Sequence, residues 1–209
     1  MTGSVTHTFV SAVADGGDAT LVRPSNWNAA HTLAGICVNI GQVTTSGSQA
    51  TVTFSSIPGT YNNLKIVYSG QDSSAGVSDS NLRLQMNGDA TSGNYSSTVQ
   101  SGTQNAASIN NSPSASSAGG VIGLLPGSAN GGGLNIGCGE ILIPAYAGTT
   151  FNKVAQALST EFYSSTTTGY VVAARSFVWV STAAITSLVL TPSGSGWKDN
   201  SVVTLYGMN

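Results

Sequence analysis

The sequence predicts an all-β fold, a jelly-roll-like two-sheet sandwich preceded by an extended N-terminal arm. Three observations carry that expectation. From Ile36 onward apolar and polar residues alternate with a period of two, the pattern of half-buried strands. No segment beyond that point keeps a helical period over roughly ten residues. The runs are separated by clusters of Gly, Ser, Asn and Thr, the residues of turns and irregular connections. Roughly eight or nine strands with long connections fit two packed sheets better than a propeller or solenoid, for which no repeat is visible.

Residues 1–35 form the arm and 36–209 the sandwich. In the arm, Met1 to Val10 is short and strand-like, and Ala14-Asp-Gly-Gly-Asp18 is a turn signal. Ser25 is a candidate N-cap for one short helix with Trp27 as its anchor. The arm holds too few apolar residues to build a core of its own. In the sandwich, Val52 and Phe54 alternate with Thr51 and Thr53. Leu64, Ile66 and Tyr68 alternate with Lys65 and Val67, and Leu82, Leu84 and Met86 with Asn81, Arg83, Gln85 and Asn87. Further strands are expected over 134–143, 152–163, 170–180, 187–191 and 202–206. Asn87-Gly-Asp89 is a turn. Residues 104–120 and Gly131-Gly-Gly133 read as long loops.

Composition removes several function classes. The chain has 6 Lys and Arg and 8 Asp and Glu, 7% charged, where an ordinary domain carries about 25%. Pro24–Leu64 and Ala90–Gly139 carry no charge at all. A net charge of -2 without a basic cluster offers no footprint for nucleic acid. No apolar run reaches the ~20 residues of a membrane-spanning helix, so no membrane insertion is expected. Met1 to Gly17 has no Lys or Arg and no apolar core, so a secretory signal is not expected and synthesis in the cytoplasm is. Two cysteines, Cys37 and Cys138, make neither a disulfide framework nor a zinc site, and whether they pair with each other is open.

A search for chemistry nominates no catalytic residue, no metal site and no cofactor. The histidines, His7 and His31, both lie in the arm. No nucleophile elbow and no phosphate loop occur. A glycosidase needs two carboxylates facing across a cleft, and Glu140 and Glu161 are the strand-borne candidates. Glu140 reads more simply as an edge-strand residue paired with Arg175 or Lys153. Asp72, Asp79 and Asp89, like Asp15 and Asp18, carry the oxygens calcium takes but match no calcium-loop spacing. Trp179 reads as core. Trp197, in a Gly-Ser-rich turn, either folds back over an open end of the sandwich or stacks on a sugar ring, which makes it the candidate glycan contact.

The residues also carry a resemblance. His7-Thr-Phe-Val-Ser-Ala-Val-Ala-Asp-Gly-Gly-Asp-Ala-Thr-Leu-Val-Arg-Pro-Ser-Asn-Trp-Asn-Ala-Ala-His31 resembles the N-terminal segment of tailed-bacteriophage appendage proteins, whose mark is an R-P-S-x-W-N-A-x-H stretch. Phe54-Ser-Ser-Ile-Pro-Gly-Thr-Tyr-Asn-Asn-Leu64, Ile185-Thr-Ser-Leu-Val-Leu-Thr-Pro-Ser193 and Leu205-Tyr-Gly207 are similar to phage structural modules. The resemblance implies a β-rich virion protein, often trimeric, and transfers no catalytic residue. The expected function is a structural protein exposed on the particle as a head decoration or head fibre. In that picture the arm docks on capsid or tail subunits through Phe9, Leu21, Trp27 and Leu33, with Arg23 pairing to an acidic partner. The alternative is a tail fibre or receptor-binding tip recognising host surface glycans through loop 104–120 or Trp197. A long uncharged surface risks association when left open, and a closed homotrimer covers it together with the sheet edges.

Overall fold

A computed structural model describes residues 3–5, 14, 16–17, 31–33, 37–47, 49–75, 79–103, 118–128, 134–162 and 169–209. Thirteen strands occur among these residues. In the N-terminal region β1 (Gly3–Val5) pairs antiparallel with β2 (His31–Leu33). The sandwich begins with β3 (Cys37–Thr44), β4 (Val52–Phe54), β5 (Asn63–Gly70) and β6 (Asp79–Met86). A 3-10 turn at Ser92–Asn94 leads into β7 (Tyr95–Thr103), followed by β8 (Gly120–Pro126) and β9 (Gly137–Pro144). The chain closes with β10 (Lys153–Phe162), β11 (Tyr170–Trp179), β12 (Leu188–Pro192) and β13 (Val202–Met208). The predicted helix opening at Ser25 lies outside the described residues, as do most of loop 104–120 and Gly131–Gly133.

Two antiparallel sheets face each other. The large one runs β3-β13-β5-β9-β10-β11-β7 and the small one β4-β12-β6-β8. Set β7, β10 and β11 aside, and the orders 3-13-5-9 and 4-12-6-8 remain. Every connection among those eight strands then crosses between sheets, except the one from β6 to β8. That winding is a jelly roll. The three added strands extend the large sheet beyond β9, and β8 packs over the extension, touching β9, β10, β11 and β7.

Alternation explains the core. Leu64, Ile66 and Tyr68 of β5, Leu82, Leu84 and Met86 of β6, and Leu188 and Leu190 of β12 are all buried. Each comes from a run whose period two was legible. The three sandwich strands that the periodicity did not reveal have visible reasons. In β3, Leu205 pairs with Gly41 and Tyr206 with Asn39, so Ile40 is the extra residue of a bulge that breaks the alternation. The inner face of β7 is largely polar, and Ser97 Oγ there accepts the Val121 amide at 3.0 Å. β8 is interrupted by glycines because large side chains of the facing sheet occupy the space a Cβ would need. A Cβ at Gly120 would lie 2.3 Å from Phe177 Cγ, and one at Gly123 2.4 Å from the Tyr68 hydroxyl.

Tyr68 makes β8 an edge that is covered rather than free. Its hydroxyl donates to the Leu124 carbonyl at 3.3 Å and accepts from the Leu124 amide at 3.2 Å. Burial pushes that phenol up to about 12. Gly123→Ala is therefore expected to displace Tyr68 from both bonds and to lower stability by about 3 kcal/mol. Urea unfolding checks this. Gly93→Ala is the control, since nothing lies within 4 Å of its Cβ position, and equal midpoints for the two variants would refute the close approach.

Candidate functional site

Among the described residues, the outer face of the large sheet is open to solvent. Register brings three rows of side chains together on it. Tyr206, Lys65, Leu142, Gln156, Ser176 and Thr98 form one. Thr204, Val67, Glu140, Leu158, Ala174 and Gln100 form the next, and Val202, Ser69, Cys138, Thr160 and Val172 the third. Two shallow basins of about 610 and 480 Å³ lie among these rows. Leu158, 54% exposed, lines both. Lys65 pairs with Glu140 in the floor, both side chains partly exposed. A surface pair of this kind contributes about 0–1 kcal/mol.

That pairing corrects the expectation for Glu140, whose partner is neither Arg175 nor Lys153. Lys153 and Arg175 alternate onto the opposite, inward side of β10 and β11. Lys153 is buried, and its ammonium donates to the carbonyls of Gly148 at 2.7 Å, Phe151 at 3.0 Å and Thr182 at 3.2 Å. All three of its donors are used, and burial holds its pKa below the usual lysine value.

Glu161 lies on the same inward side, 2% exposed, and neither carboxyl oxygen has a hydrogen-bond partner. Burial pushes its pKa up to about 8, nearby Asp79 adds to the rise, and Arg175 opposes it. Desolvation in turn lowers Arg175. At neutral pH the group is a neutral carboxylic acid. A general acid must reach its substrate, and the surface of Glu161 is closed off beneath the small sheet.

Asp72 and Asp89, considered above as calcium oxygens, are engaged by donors. Asp72, fully buried, accepts from the Ser74 amide at 2.8 Å, Ser80 Oγ at 2.6 Å, the Gly194 amide at 2.9 Å and the Ser195 amide at 3.1 Å. Its lone pairs face hydrogens, so a cation there would meet the positive ends of the same dipoles. Asp89 accepts from Trp179 Nε1 at 2.7 Å, Asn94 Nδ2 at 2.8 Å and the Thr91 amide at 2.9 Å. Those bonds, the indole's first, hold its carboxyl well below the usual carboxylate range. Among the described residues no group of three or more His, Cys, Asp or Glu is placed to hold a metal ion.

Trp197 is fully buried, its Nε1 donating to the Leu190 carbonyl at 3.3 Å. It folds back into the core and closes the sandwich, so it has no face on which a sugar can stack. This corrects the glycan contact and leaves the other reading of that turn. Trp179 is buried as expected. Phe9, Leu21, Arg23 and Trp27 lie outside the described residues, as does His7. Leu33 pairs with Gly3 and His31 with Val5 in the small N-terminal ladder. Cys37 and Cys138 are free, exposed thiols, so they do not pair within the chain.

No protein-family model matches the chain, and comparison with curated proteins finds no match.

Proposed function

We propose that this chain is a bacteriophage virion structural protein, exposed on the particle as a head decoration or head fibre and anchored by its N-terminal arm. The observation that carries the reading is the stretch Arg23-Pro-Ser-Asn-Trp-Asn-Ala-Ala-His31 joined to a jelly roll. The charge-poor surface supports it, because such a surface promotes association when left open and is tolerated when neighbours in an assembly cover it. In this reading the protein is made in the host cytoplasm, incorporated into the virion as a homotrimer, and acts without catalysis. Its partners are capsid or tail subunits that receive Phe9, Leu21, Trp27 and Leu33 and pair with Arg23. The receptor-tip alternative has lost its aromatic contact, since Trp197 is in the core.

The test is cryo-electron microscopy of particles made with and without the protein. Difference density on the shell is the expected result, with residues 1–35 lying along capsid subunits. A chain truncated to 36–209 is expected to keep the circular dichroism of the sandwich and to be absent from purified particles. Density at the tail would move the protein there, and no difference density at all would end the virion reading.

A further inference from the structure

We infer that residues 124–126, the end of β8, form a proton-operated flap over Glu161, closed while that carboxyl holds its proton and lifted when the proton leaves for solvent. The flap is independent of the virion reading. Its basis is what lies against Glu161. Glu161 stands directly opposite Gly137 on the neighbouring strand, and both are buried. A Cβ at Gly137 would lie 2.8 Å from Pro126 Cδ and 3.0 Å from the Leu124 carbonyl oxygen, so the end of β8 is the roof above this pair. Beneath it both oxygens of Glu161 lack a hydrogen-bond partner, and so does Arg175 Nε. No residue of β8 carries an ionisable side chain. The charged groups that face Glu161 are Asp79 at the start of β6 and Arg175 of β11, and Arg175 also faces Tyr68 of β5. An ionised Glu161 would lack every hydrogen bond that normally offsets burial of a charge. Ionisation therefore favours any arrangement that admits water.

Topology decides which wall yields. β10 is laddered to β9 on one side and to β11 on the other, so moving it would tear the large sheet. β8 is an edge strand that ladders with β6 alone, and that ladder shifts register between Leu82 and Arg83. Beyond the ladder its end is fastened by individual bonds. The Tyr68 hydroxyl clasps the amide and the carbonyl of Leu124, and the Asp72 amide donates to the Pro126 carbonyl at 2.9 Å. These bonds make closure the resting state, and a charge created beneath them shifts the balance toward local opening. Closed, the carboxyl titrates at about 8, and once wetted it returns toward 4.5. Between those values opening releases a proton, so the open fraction grows about tenfold per pH unit and levels off above about pH 8.

Native-state hydrogen exchange on the full chain, followed by NMR from pH 5 to pH 8 in low urea, tests the flap. After correction for intrinsic exchange, the Leu124 and Leu125 amides are expected to lose protection about a thousandfold across that range. Their exchange should depend little on urea, as local opening requires. Amides of β12 and β13 are expected to exchange through global unfolding, with a steep dependence on urea. Glu161→Gln is expected to hold the protection of Leu124 constant over the same range. Tyr68→Phe, which removes the clasp, is expected to speed Leu124 exchange at pH 5 and to keep the pH slope. Leu124 and Leu125 exchanging with the urea dependence of β13 at every pH would overturn the flap, even with Glu161 a buried acid. So would a Glu161→Gln chain that keeps the wild-type pH slope, or a Tyr68→Phe chain whose Leu124 exchanges no faster than wild type at pH 5.

Discussion

Glu161→Gln is expected to stabilise the protein at pH 9 and to leave it nearly unchanged at pH 4. The folded carboxyl titrates at about 8 instead of 4.5, so between those values the native state keeps a proton that the unfolded chain releases. Stability then falls as pH rises through that window, and the whole loss is present above about pH 8. The shift corresponds to a penalty on the order of 3–5 kcal/mol, because each pK unit is about 1.4 kcal/mol. Glutamine has the same shape and no charge to desolvate, so it escapes that penalty. Asp79 and Arg175, the charged groups facing Glu161, act on its charge, and their opposing effects are already contained in that shift. Urea midpoints for both proteins from pH 4 to pH 9 measure the effect. Curves that stay parallel throughout would show that Glu161 is not a buried acid.

The second large effect is expected at Asp72. Asp72→Ala strips the acceptor from three amides and one hydroxyl at once, at a position with no access to water. Each buried donor left unpaired costs about 1–3 kcal/mol. Relaxation of the turn recovers part of this, and a net loss of roughly 4 kcal/mol is expected. The damage also spreads to Trp197, because Gly194 and Ser195 hold the turn that delivers its indole to the core. Red-shifted tryptophan emission below the unfolding transition is therefore expected alongside the loss of stability. Asp72→Asn keeps one oxygen but turns an NH₂ toward donors, and it should fall between wild type and alanine. An alanine variant with wild-type urea midpoint would sink this account.

Both effects depend on groups that the sequence displayed without displaying their surroundings. Asp72 stood in view as one of three aspartates near a strand pair. What separates a calcium ligand from a structural acceptor is whether donors converge on it. Ser80, Gly194 and Ser195 converge from positions 8 to 123 residues away. Glu161 is a similar case. Its strand was expected over 152–163 and runs from Lys153 to Phe162, yet alternation alone leaves open which set of residues faces inward. Hydrophobicity would turn Val154, Leu158 and Phe162 toward the core. The close approach of β8 leaves room there for Ala155, Ala157 and Ser159 instead.

Period-two alternation sufficed for the two-sheet fold, for the strands at β4, β5 and β6 and for β9 through β13, because burial on one face imposes it residue by residue. Local turn chemistry marked the turn at Asn87 and Gly88, both with positive φ. The tertiary structure alone decided the pairing of Glu140 with Lys65, the burial of Trp197 and Lys153, and the strand at β8. It also placed the apolar side of β10 outward. All of these depend on neighbours distant in the chain, and a local pattern records a residue's own preference without recording what folding brings against it.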